Sequence, residues 1–83
     1  MAEPKAELRW VNRGLVVARF GDKSVQVGGE AMLARDPDYV IYASTITTWD
    51  DGSPIGGDEL ADVLDRVVEA ASRRGWKFEV EWW

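Results

Sequence analysis

The sequence predicts an α+β fold in which a mostly antiparallel sheet of four to five strands carries one amphipathic helix on one face, in the order β-β-β-β-α-β. Three observations lead there. Apolar residues alternate with the period of a strand through the first half of the chain. They switch to helical spacing only between Asp58 and Arg74. The strand period then returns in the closing residues. At 83 residues the chain has room for one hydrophobic core, so residues 1–83 are expected to form a single domain, with 1–6 a loose tail.

Leu8 to Val11 reads as a first strand with Leu8 and Trp10 on one face, and Asn12-Arg13-Gly14 breaks it. Leu15 to Phe20 is nearly continuously apolar, with Val16, Ala18 and Phe20 opposite Leu15, Val17 and Arg19, as in a well-buried strand. A turn at Gly21-Asp22-Lys23 leads into the alternating Ser24-Val25-Gln26-Val27, and Gly28-Gly29 is expected to close that hairpin. Glu30 to Arg35 is ambiguous between a strand and a helical turn, and Asp36-Pro37-Asp38 prevents its regular continuation.

Tyr39 to Ile46 carries the strongest strand signal, being β-branched and aromatic on both faces, and is expected to be central. Trp49-Asp50-Asp51-Gly52-Ser53-Pro54 follows as a turn. In the helix, Leu60, Val63, Leu64, Val67, Val68 and Ala71 form the apolar stripe. Asp58, Glu59 and Asp62 lie at its positive end, Arg73 and Arg74 at its negative end, and Gly75 supplies a left-handed stop. Asp62 with Arg66 and Glu69 with Arg73 form acid-first pairs one turn apart. In the last strand Trp76, Phe78, Val80 and Trp82 share a face, with Trp83 turned away.

One helix covers one face of a sheet, yet two strands are apolar on both. The loop 28–38 and the N-terminal segment are expected to cover the second face. A dimer interface or a partner surface is the alternative.

Composition narrows the chemistry. No cysteine or histidine is present, which removes disulfides, thiolate and imidazole catalysis and the usual zinc ligands. No cofactor is expected. A net charge of −5 opposes nucleic acid and anionic lipid and favours a basic protein partner. The polar start and the lack of a long apolar run point to the cytoplasm.

Tryptophan and acid are the outliers. Trp10, Trp76 and Trp82 are in phase with other apolar residues and read as core, whereas Trp49 and Trp83 are candidate contact residues. The stretch Asp50, Asp51, Asp58, Glu59, Asp62 and Asp65 meets no base before Arg66. It suits a turn and a helix start, or a docking surface for a basic partner, with Asp50, Asp51, Glu59 and Asp62 as the contacts. It lacks the alternating oxygen ligands of a calcium loop. Asp50 or Asp51 with Ser44 or Ser53 would make only a weak acid–base site, and acids beside Gly56-Gly57 would repel an anion.

The run from Tyr39 through Trp49-Asp50-Asp51-Gly52-Ser53-Pro54 to Ile55 resembles the predicted polymorphic-toxin immunity proteins numbered seventy-four in the Imm series. The likeness begins near Arg13-Gly14 and continues through the helix, Arg73-Arg74-Gly75 and the last strand. The resemblance implies a non-enzymatic, bacterial, cytoplasmic inhibitor that binds a cognate toxin. Three readings therefore stand: a toxin-binding protein, a homodimeric structural or regulatory module, and a carboxylate-based enzyme.

Overall fold

A computed structural model describes residues 6–32 and 38–82. Five strands form one sheet in sequential order: β1 (Glu7–Asn12), β2 (Leu15–Phe20), β3 (Lys23–Ala31), β4 (Tyr39–Tyr42) and β5 (Phe78–Glu81). The first three junctions are antiparallel and β4–β5 is parallel. The helix α1 (Gly57–Arg73) makes the crossover that the parallel pair requires. The architecture is α+β with the expected element order.

The core lies between α1 and one face of the sheet. Val63, Leu64, Val67, Ala70 and Ala71 meet Val16, Ala18, Val25, Val27, Ile41 and Phe78 there, all of them buried. Each large aliphatic side chain so removed from water contributes roughly 1.5–3 kcal/mol. Three T-shaped ring contacts join Trp10 to Tyr39, Trp76 and Phe78 at 5.2–5.7 Å, which places Trp10 and Trp76 against the core as expected.

The helix stops as its sequence predicts. Gly75 adopts φ +79, its N–H donates to Ser72 O, and the Trp76 N–H donates to Ala71 O. This paired closure satisfies the last carbonyls and hands the chain to β5.

Five boundaries differ from expectation. β3 runs through Gly28-Gly29 instead of ending there, because a bare Gly29 lets β4 come close. A Cβ on Gly29 would strike the Val40 carbonyl oxygen and the Tyr39 ring. The strand expected over 39–46 ends at Tyr42 in a 3-10 turn, Ala43–Thr45. There the Thr45 hydroxyl replaces the backbone ladder, accepting from the Gly28 N–H at 3.0 Å and donating to Tyr42 O at 2.7 Å. β5 ends before Trp82, so that side chain is 65% exposed and not part of the core. β1 runs on into Asn12, the residue expected to break it, with an irregularity in its pairing between Trp10 and Asn12. Ala6, expected in the tail, is buried.

Candidate interaction surface

The segment Thr47–Ile55 is a tight hairpin held from several directions. The Trp49 N–H donates to Ser53 O, Ile55 N–H to Thr47 O and Gly52 N–H to Trp49 O, with Gly52 at φ +88. Asp51 Oδ1 accepts from the Ser53 N–H at 2.9 Å and the Ser53 hydroxyl at 2.6 Å. Those two bonds to the ionised form, the hydroxyl's foremost, hold the Asp51 carboxyl below its ordinary value. The Asp50 N–H donates to Ser24 O and ties the hairpin to β3.

Trp49 is the anchor of this hairpin, not a presented contact. It is 8% exposed, meets Phe20 edge-on at 5.7 Å, lies under the Lys23 ammonium at 5.4 Å and donates its indole N–H to Glu59 Oε1 at 3.2 Å. The Trp in the sequence's most distinctive element is therefore explained by packing.

The remaining expected contacts have internal roles as well. Glu59 receives the Trp49 indole, and Asp62 pairs with Arg66 at 2.9 Å. Asp50, Asp51, Glu59 and Asp62 are all exposed, so their charge reaches solvent while their local bonds shape the hairpin and helix start. Trp83 lies outside the described residues. Asp58, Asp62, Asp65 and Glu69 fall on the side of α1 opposite its buried stripe, and no large apolar residue lies among them.

A second surface is the sheet face for which the sequence left a dimer interface or partner surface as the alternative. The sheet face turned away from α1 carries Leu15, Val17, Val40 and Tyr42, all half-buried. The register places Val17 beside Arg9 and Gln26, and Val40 beside Glu30 and Glu79. Among the described residues no helix or strand lies over this face; the Thr45 side chain approaches it at Gly28, and Asp50 of the hairpin lines one cleft with its Arg9, Val17 and Arg19. Of the expected cover, 28–31 belongs to β3 and Ala6 joins the core, while 1–5 and 33–37 lie outside the described residues. The signal was present in the two strands apolar on both sides.

The Tyr42 hydroxyl donates to Glu30 Oε1 at 2.9 Å, and that bond is the first cause of the raised Tyr42 pKa. Glu79 and Glu81 stand exposed on the neighbouring strand.

Two clefts stand out among the described residues. One of about 450 Å³ is lined by Glu7, Arg9, Arg19, Asp22, Asp50 and Arg74 among others, so its acids and bases offset one another. The other, about 520 Å³, is walled by Trp10, Val11, Met32 and Trp76. Among the described residues no group of three or more acids could hold a metal ion, and no helix is long and apolar enough to cross a membrane. Of the acid–hydroxyl pairs the sequence offered, the structure brings Asp51 and Ser53 together, the Ser53 hydroxyl donating to Asp51 Oδ1 at 2.6 Å within the turn.

No curated protein and no solved structure gives a match. The family model described as Immunity protein 74 matches residues 11–81, spanning β2 to β5 with the hairpin and α1 between them, and the chain therefore belongs to the Immunity protein 74 family.

Proposed function

We propose that this chain is a non-enzymatic inhibitor that neutralises a cognate protein toxin by binding it directly, and that the toxin is basic. The family match over residues 11–81 carries this reading. The net charge of −5 supports the sign of the partner. Asp50, Asp51, Glu59 and Asp62 act at long range, raising the encounter rate with a basic surface, since exposed charges alter association more than the lifetime of a complex.

A protein encoded in the reading frame beside this one is the candidate toxin to test. Co-expression with this chain should restore growth to cells that the toxin alone arrests, and calorimetry on the purified pair should give a defined stoichiometry. Growth arrest that persists at full expression of both, with no heat of binding, would remove the proposal.

A further inference from the structure

We infer that the partner docks on the sheet face opposite α1, with Val17, Val40 and Tyr42 at the centre of the contact and Glu30, Glu79 and Glu81 along its rim. This rests on the toxin-binding reading and names the surface that performs it.

Three observations separate this face from the acidic helix. The outward side of α1 has acid without apolar area, and two of its acids are in ion pairs, Asp62 with Arg66 and Glu69 with Arg73. A stable protein contact needs an apolar centre that excludes water, with charge at its edge. The sheet face turned from α1 has both on its β3–β5 side, where half-buried Val40 lies between exposed Glu30 and Glu79; Val17, on β2, lies between Arg9 and Gln26. Regular strands also hold these side chains in fixed positions, so little order has to be gained on binding.

Charge decides the occupant. The strand residues on this face include Glu7, Glu30, Glu79 and Glu81 against Arg9 and Arg19, a net charge of −2, and the acids of β3 and β5 sit together beside Val40. A second copy would set like against like on a chain already at −5. A basic surface with an apolar centre is complementary to the β3–β5 half of the face.

The experiment uses the full chain and the candidate toxin encoded beside it. Val17→Glu with Val40→Glu adds acid at the apolar centre, and Glu79→Lys with Glu81→Lys reverses the rim. Thermal unfolding of each free variant establishes that it folds. Loss of about thirtyfold or more in affinity for both pairs, the scale of one lost hot spot, is the expected result. Tighter binding by the Val→Glu pair would mean that the acid acts only through charge and would overturn the proposal. So would full affinity in both pairs while the unaltered chain binds, although the toxin reading would then survive. If the unaltered chain fails to bind, both readings fall together. Sedimentation that finds the free chain dimeric, and both variants monomeric, would assign the face to a second copy and overturn the proposal.

Discussion

At the scale of single residues, Trp49 and Trp82 exchange the roles their surroundings suggest. Trp49 sits between polar residues in sequence, yet the hairpin folds it onto Phe20 and Glu59. Trp82 keeps the strand phase of Phe78 and Val80, yet the strand stops one residue short of it. Period alone cannot reveal where a ladder ends, or that a turn residue is carried back against the sheet. Replacing Trp49 by Ala should therefore cost about 3–5 kcal/mol in denaturant unfolding, a large part of the roughly 4–12 kcal/mol expected for 83 residues. Trp82→Ala should change stability by no more than about 0.5 kcal/mol. Tyr39 gives a second residue-level test. It is fully buried, its hydroxyl donates to the Val27 carbonyl at 2.9 Å, and burial, with the nearby Tyr42 adding to it, pushes its pKa up to about 12 from 10.0. The unfolded chain releases this proton near pH 10 and the folded chain only near pH 12, so between them the unfolded state binds fewer protons. The Tyr39 contribution to stability should be complete below pH 10 and should fall as pH rises towards 12, and Tyr39→Phe should flatten that part of the alkaline unfolding profile.

At the scale of elements, the helix was legible almost to the residue because its stripe, its acid-first charges and Gly75 all depend on local chemistry. β2 and the turn after it were equally plain. The course of β3 and β4 was not, since it depends on contacts between residues distant in sequence. Gly28-Gly29 looks like a turn until Tyr39 and Thr45 are placed beside it. Gly29→Ala should then be severe, above about 2 kcal/mol, because the obstruction is the Val40 backbone carbonyl and not a side chain that can rotate. Ala at Gly57 meets nothing within 4 Å, and its effect should stay within about 0.5 kcal/mol. Asp51 controls its hairpin through two bonds to Ser53, so Asp51→Asn should loosen 47–55 selectively. Its lowered pKa sets the sign with acid: the carboxylate's contribution is present above its ordinary value of 3.8 and is lost as pH falls through the depressed folded value. Amide exchange of Trp49, Gly52 and Ile55 should speed up in the variant while α1 keeps its protection.

For the whole molecule, charge and apolar surface are divided between two regions, and binding kinetics can tell them apart. The hairpin and helix start carry exposed acid without an apolar centre, while the sheet face carries apolar side chains with acid beside them. A field from the first region acts at a distance of about 10 Å at moderate salt, before any contact forms. Contacts on the second act only once the surfaces have met. Asp58→Lys with Asp65→Lys should accordingly lower the association rate by about tenfold at low salt and leave the dissociation rate nearly unchanged, with the difference shrinking as salt is added. Val17→Glu with Val40→Glu should chiefly raise the dissociation rate, since changes within an interface are expressed mostly there. The two effects should multiply in the combined variant, because one region governs approach and the other residence. Stopped-flow association and displacement measurements at two salt concentrations would read both rates. A dissociation rate that rose as much for the Asp58 and Asp65 pair as for the valine pair would place these acids inside the contact and not in its approach field.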